Sequence, residues 1–315
     1  MSNFDYPIIC SICKAGENFK FIRDFYKEQT KYSLYQCSEC YVQFWLPQTV
    51  ARRKWYEQEG NPYQIRDLVK LKVNRGYHSF FLKRYKNLSK GVRVLDLGCG
   101  TGEFLSELEK RGCEVWGLDF DREAIKIAKQ RFGLKNIYAL SFEEFFKKEN
   151  LAKFDVITFF EVLEHLNDPL VFIQNLKKLL KPSGKIVLSA PFRERMLPNL
   201  NNWDFPPHHF TRWNRESILN LFSKCGFSIS YIDYVEEFKI LSESISGKFK
   251  TGLVGKSLTF TSNKKKSLTI PKIVYFLGRL KDLFLGKIPA VFLWFICKIQ
   301  KRKNGIIYVE AELIK

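Results

Sequence analysis

Between residues 93 and 236, short, mostly apolar runs alternate with stretches whose apolar positions repeat at helical spacing. The runs predict strands at 93–98, 114–119, 137–140, 154–160, 185–190 and 227–236. The amphipathic stretches predict helices at 103–111, 121–132, 142–148, 169–180 and 214–225. Strand alternating with helix in this way is the pattern of a doubly wound parallel α/β sheet. Gly184, after Lys181-Pro182, is expected to turn the chain sharply into a strand. Upstream, Phe19–Tyr35 is aromatic and alternating, as in a small β-hairpin ribbon, and Pro47 marks its exit. Residues 49–59 and 64–86 carry helical patterns separated by Gly60-Asn61-Pro62, with Ile65, Leu68, Leu71, Tyr77, Phe81 and Tyr85 on apolar spacings.

The first strand ends in Asp96-Leu-Gly98-Cys99-Gly100-Thr101-Gly102, and a helix starts at Glu103. Three glycines here suit a turn whose backbone approaches a ligand closely. A dinucleotide fingerprint starting at Gly98 would need a third glycine at position 103, which is Glu103. A pyrophosphate at the helix start would be repelled by Asp96 and Glu103, which suit an amino group or a sulfonium instead. The second strand ends in Asp119, placed to take both hydroxyls of a ribose. Adenosine with a cationic amino-acid end and no phosphates describes S-adenosylmethionine.

Val94–Gly102 with Asp119 resembles the first two motifs of class I S-adenosylmethionine-dependent methyltransferases, and the likeness continues through Phe154–Pro169, Leu179–Phe192 and His208–Phe227. It implies a seven-stranded Rossmann-like sheet whose last strand, 305–313, is antiparallel, and a helix before the first strand that covers the cofactor beside Tyr77 and His78. It implies cofactor contacts from Asp96, Gly98, Cys99, Gly100, Thr101, Gly102, Asp119, Phe120, Phe160 and Glu161, and adenine contacts from Ser141 and Phe142. The family often has an acid near the last pair, where this chain has Leu140-Ser141.

Two Cys-x-x-Cys pairs, Cys10/Cys13 and Cys37/Cys40, supply four thiolates at the spacing of a structural zinc ribbon. Zinc there would substitute for a core too small to fold alone. Cys99, Cys113, Cys225 and Cys297 are isolated and read as small apolar residues. The domain reading is therefore a ribbon at 1–47, a helical linker at 48–90, a core at 91–240 with 305–315, and a helical insertion at 241–304.

Glu161-Val-Leu-Glu164-His165 follows the fourth strand, at the end that opens into a ligand crevice. On a helix, Glu161, Glu164 and His165 would share one face. The chain has four histidines, and His165, His208 and His209 lie in this segment and in Phe205–Thr211. Glu-x-x-Glu-His with a later histidine resembles metal-dependent O-methyltransferases, including ubiquinone-biosynthesis enzymes and small-RNA 2′-hydroxyl methyltransferases. That resemblance implies a catalytic divalent metal on Glu161, Glu164, His165 and His208. Two other readings stand beside it: His165, His208 and His209 as bases or substrate contacts, and a structural role.

Composition excludes a disordered chain: 45% of residues are hydrophobic and 27% charged. The net charge of +19 is uneven, with +8 in residues 1–90, +1 in 91–235 and +10 in 236–315. Between Glu243 and Glu310 the only acid is Asp282, against fourteen Lys and Arg, which are interleaved with the apolar stretches 273–285 and 288–299. These stretches are too short to span a membrane but suit an interfacial helix on anionic lipid; a lid or a dimer element is the other reading. No secretory leader is expected where Asp5 and Pro7 interrupt the N-terminus. The expectation is a cytoplasmic enzyme, peripheral at the membrane, that O-methylates a sugar or lipid-linked glycan in surface-polysaccharide assembly. An RNA methyltransferase and a cofactor-binding scaffold without activity are the alternatives, and nucleic acid is the less favoured partner.

Overall fold

The computed structural model describes residues 8–27, 29–48, 76–147, 153–195, 205–235, 288, 291–292 and 305–314. The chain forms two compact units, one of residues 1–193, 203–235 and 306–315, the other of 194–202 and 236–305. In the second unit Ile288, Val291 and Phe292 are helical and exposed. The helix expected at 49–59, residues 64–75 and the rest of the insertion lie outside the described residues.

The first unit is built on a seven-stranded sheet. Its strands are β4 (Arg93–Leu97), β5 (Glu114–Asp119), β6 (Ile137–Ala139), β7 (Phe154–Phe160), β8 (Leu180–Pro191), β10 (Phe227–Val235) and β11 (Ile306–Leu313), in the order β10-β11-β8-β7-β4-β5-β6. β4 to β8 run parallel, and β11 lies antiparallel between β8 and β10. From β4 the chain winds outward through β5 and β6, then crosses back to β7. The crevice at the ends of β4 and β7 is thus the topological switch point, where open α/β sheets bind ligands. The central strands bury Leu95, Ile157, Phe159, Ile186 and Leu188 completely, as strands covered on both faces require.

Local chemistry starts the helices where the sequence places them. Asp121 caps α3 (Arg122–Phe132) by accepting from the amides of Glu123 and Ala124, and Ser141 with Glu144 forms a capping box on α4 (Phe142–Phe146). Asp168 caps α5 (Pro169–Lys177), which has proline in its first turn, and Asn214 caps α6 (Arg215–Lys224). α1 (Gly76–Arg84) buries Tyr77 and Phe81, and α2 (Glu103–Lys110) buries Phe104, Leu105 and Leu108. The last residue of α1, Arg84, pairs with buried Glu310 of β11 at 2.6 Å and stacks 3.4 Å from the Tyr231 ring.

Two boundaries differ from the sequence pattern. α5 stops at Lys177 and β8 starts at Leu180, before Gly184. Leu180 pairs with Phe154 and Lys185 with Val156, so the extra residues bulge from β8, and a Cβ on Gly184 would lie 2.9 Å from the Phe154 carbonyl oxygen and 3.0 Å from that of Lys181. Crowding from β7 and from the bulged residues just before it selects glycine there. Residues 161–165 do not form one helix. Glu161 has φ 56°, and only Leu163–His165 make a single 3₁₀ turn.

The N-terminal ribbon is an antiparallel sheet of β1 (Phe19–Lys27), β2 (Thr30–Cys37) and β3 (Gln43–Leu46). A fourth strand, β9 (Thr211–Arg212), joins it from the far side of the sequence, pairing Gln43 with Arg212 and Phe44 with Thr211. Ile12, Val42 and Phe44 share one continuous core with Leu163, Phe172 and Trp213. A three-stranded ribbon buries too little apolar surface to stand alone; here it borrows the interior of the larger sheet.

Candidate functional site

The turn after β4 lies at the switch point. Gly98, Gly100 and Gly102 have φ of 80°, 54° and 80°. A side chain at Gly102 would come within 2.9 Å of Leu134 and Ala128, and one at Gly98 would come 2.7 Å from Val162. Glycine is therefore required both by conformation and by space. Buried Asp119 holds the turn. Its Oδ2 accepts the Gly100 amide at 2.9 Å and its Oδ1 accepts the Asp121 amide at 2.9 Å. Buried Asp96 accepts a 2.6 Å hydrogen bond from Thr158 of β7. Thr101 donates to Glu103, and Cys99 is buried behind the turn. Three acidic side chains thus lie about a glycine turn of which only Gly98 is exposed, a setting that favours a cationic ligand.

An aromatic wall closes one side. Phe160, the last residue of β7, stacks on Tyr77 of α1 at 5.2 Å, and His78 stacks on Phe104, two residues past the turn, at 4.6 Å. Phe120 follows Asp119 and is half-buried. The two residues expected at adenine have other contacts in view: the Ser141 hydroxyl accepts the Glu144 amide, and Phe142 packs edge-on against Phe172. Glu161 leaves β7 with its amide donating to the Ser189 carbonyl oxygen and its Oε1 accepting from the Ser189 hydroxyl. Thr158 and Ser189 went unnoticed in the sequence. Their one signal there is a hydroxyl inside an apolar strand.

Among the described residues, two groups of metal-ligating side chains converge. The first is His165, His208 and His209, each of which brings one ring nitrogen within 4.8 Å of those of the other two. Glu164, buried beside them, has Oε1 3.8 Å from His165 Nε2 and 3.7 Å from His209 Nε2. Glu161 is not in this group. Burial, and after it the neighbouring His209 and His208, hold His165 well below the usual imidazole value, so its ring is neutral at pH 7. Its Nδ1 lies 2.6 Å from the His208 carbonyl oxygen and must donate there, which leaves the Nε2 lone pair facing Glu164. A lone pair and a carboxylate that converge suit a proton or a cation between them, and a backbone carbonyl on the other ring nitrogen is the usual support of a histidine ligand.

The second group is Cys10, Cys13, Cys37 and Cys40, with all sulfurs within 4.8 Å. Cys10 and Cys40 sulfurs lie 3.5 Å apart, and those of Cys13 and Cys37 lie 3.4 Å apart. A tetrahedral zinc with bonds of about 2.3 Å needs sulfurs about 3.8 Å apart, so the donor set fits that ion. The Ile12 amide also points at Cys10 Sγ, 3.4 Å away. The hydrogen bond from Cys40 lowers the Cys10 thiol to about 5, while burial raises Cys13 to about 11.

A family model described as a methyltransferase domain matches residues 66–231. The chain belongs to this methyltransferase family, within the class I S-adenosylmethionine-dependent superfamily. The ubiquinone biosynthesis O-methyltransferase of Aliivibrio fischeri is 29% identical over 227 residues, covering 70% of this chain and 90% of that protein. The Vibrio cholerae protein of the same name is 34% identical over 140 residues, covering 44% of this chain and 55% of its own length. The chain thus spans about half the length of the Vibrio relative. A chain from the complex between the Haloferax volcanii Trm112 methyltransferase activator and a methyltransferase shares the fold, with a TM-score of 0.52 at 16% identity over 85% of this chain and 99% of that one.

Burial moves two acidic side chains beside the turn toward neutrality. Burial raises Asp96 to about 7, with the Asp119 charge adding to it and the Thr158 hydrogen bond opposing it. Burial likewise raises Asp119 to about 6. Each carboxyl is more basic folded than unfolded, so the ligand-free protein loses stability as pH rises from the ordinary carboxylate range through these values. A cationic cofactor reverses the preference. Its affinity is expected to rise about tenfold between about pH 5.5 and about pH 8, with proton release on binding. Calorimetry in buffers of different ionisation enthalpy measures both; a flat affinity would refute the assignment.

Proposed function

We propose that the protein transfers the methyl group of S-adenosylmethionine to a hydroxyl oxygen of a sugar or lipid-linked glycan held near an anionic membrane surface. The observation that carries the oxygen chemistry is the cluster of His165, His208, His209 and Glu164, whose first two members in the chain, Glu164 and His165, follow two and three residues after Val162, the side chain that crowds Gly98 of the turn. The sulfonium is already activated, so in-line positioning supplies much of the rate. A hydroxyl acceptor must still lose its proton, and the neutral imidazole of His165, with Nε2 turned toward the Glu164 carboxyl, is equipped to take it. The names of the two relatives, both O-methyltransferases, support oxygen as the acceptor atom. Glu164, His165, His208 and His209 would hold a divalent cation if the site uses one, and that ion would lower the pKa of a bound hydroxyl.

The glycan reading is supported by the basic, apolar insertion at 241–304, in which Lys264-Lys265-Lys266 and Lys301-Arg302-Lys303 flank the apolar stretches. Among the described residues no helix is long and apolar enough to cross a membrane. Each basic residue near an anionic surface contributes on the order of 1 kcal/mol. The protein is expected to float with vesicles containing phosphatidylglycerol and not with neutral ones. Replacing those six basic residues with glutamine is expected to weaken binding at least about tenfold. Failure of the unaltered protein to float would move soluble sugars and RNA to the front.

A further inference from the structure

The segment that carries His208 and His209 has no helix or long strand of its own to hold it. It is clamped between two partners. On one side is the turn after β7: the Phe210 amide donates to the Glu164 carbonyl oxygen at 3.0 Å, and Thr211 Oγ1 donates to the Leu163 carbonyl oxygen at 3.4 Å. On the other side is β3 of the ribbon. The Trp45 amide donates to the Phe210 carbonyl oxygen at 2.9 Å, and the ladder continues through Phe44 with Thr211 and Gln43 with Arg212. β3 starts three residues after Cys40, and its entry is tied to the second cysteine pair, because Cys37 donates to the Val42 carbonyl oxygen and Tyr41 donates to the Cys37 carbonyl oxygen.

Side chains repeat the connection. Phe205, at the start of the histidine segment, stacks on Phe25 of β1 at 4.4 Å and packs 5.9 Å from Trp45. The Arg23 guanidinium lies 5.1 Å from the Phe205 ring and 5.7 Å from that of Trp45. The cysteine loops are themselves anchored: Lys14, next to Cys13, pairs with Asp168 at 2.6 Å, and Arg193 donates to the Tyr41 carbonyl oxygen. The glycine turn and Asp119 have none of these contacts.

We propose that the ribbon is the positioning element of the histidine cluster, so that zinc on the four thiols sets where His208 and His209 stand relative to Glu164 and His165, while the cofactor turn is independent of it. Its consequence for catalysis rests on the reading of that cluster as the acceptor side. Zinc crosslinks the two Cys-x-x-Cys loops. Without it, four thiols pack without a common centre, β3 loses its fixed start, and β9 loses one of its two partners. The aromatic contacts of Phe25, Trp45 and Phe205 carry the same constraint through a route that touches no cysteine, which permits an independent test.

The test is amide hydrogen exchange on the full chain, read by mass spectrometry over 205–213 and over 94–102. Reduced protein should first contain about one zinc per chain; none would overturn the proposal. Stripping the zinc, and separately substituting Phe25→Ala, should each speed exchange in 205–213 about tenfold or more. Exchange in 94–102 and affinity for S-adenosylmethionine should stay within about twofold. Phe25→Tyr should restore protection. Unchanged exchange in 205–213 under both treatments would overturn the proposal, as would release of both segments together, the signature of general destabilisation. Faster exchange in 205–213 with methyl transfer undiminished would confirm the positioning and sink the acceptor-side reading instead.

Discussion

Replacing Asp119 with alanine is expected to lower affinity for S-adenosylmethionine at least about a hundredfold, as measured by calorimetry. The carboxylate ends β5 with both oxygens engaged, one on the Gly100 amide and one on the Asp121 amide. Alanine leaves both donors without this acceptor, at about 1–3 kcal/mol for each buried group. It also removes the acceptor expected for a ribose. Gly100 sits in the left-handed region and is held there by that bond, so the turn loosens where the ligand approaches. The seven-stranded sheet should survive, because β5 keeps its pairing with β4 and β6. A folded Asp119→Ala protein that binds within about threefold of the native affinity would remove Asp119 from the cofactor site.

Glu164→Gln is expected to slow methyl transfer by about two to four orders of magnitude with cofactor affinity unchanged. Glu164 is the buried carboxyl on which His165 and His209 converge, at 3.8 and 3.7 Å. Glutamine keeps the volume and removes the charge that would stabilise an imidazolium or hold a cation. Combining it with His165→Ala should abolish any rescue by added divalent ions. Chelation under conditions that leave the ribbon zinc in place separates the two chemistries: inhibition reversed by a divalent ion other than zinc selects the metal, and indifference selects the base. Loss of cofactor affinity in step with rate would instead place Glu164 in the cofactor site.

The alternation of strands and helices was legible because it is written locally. β4 to β7, with the helices after them, follow from apolar periodicity, from caps at Asp121, Ser141 and Asp168, and from glycines with positive φ. The glycine turn was legible for the same reason, since Gly98, Gly100 and Gly102 are a backbone requirement printed in the residue types. Where the pattern misled, a distant contact had won. The 161–165 segment answers to Gly98 and Ser189, not to its own helical spacing.

The sequence by itself determined the parallel core, the acidic glycine turn and the four-thiol set. Each of these needs only neighbours in the chain or a fixed spacing. The tertiary structure decided the assembly of His165 with His208 and His209 across 43 residues, the placement of Glu161 on Ser189, and the addition of β9 to the ribbon sheet. Those arrangements depend on the register of strands far apart in the chain. Register is set by which apolar faces bury together, and no local propensity encodes it.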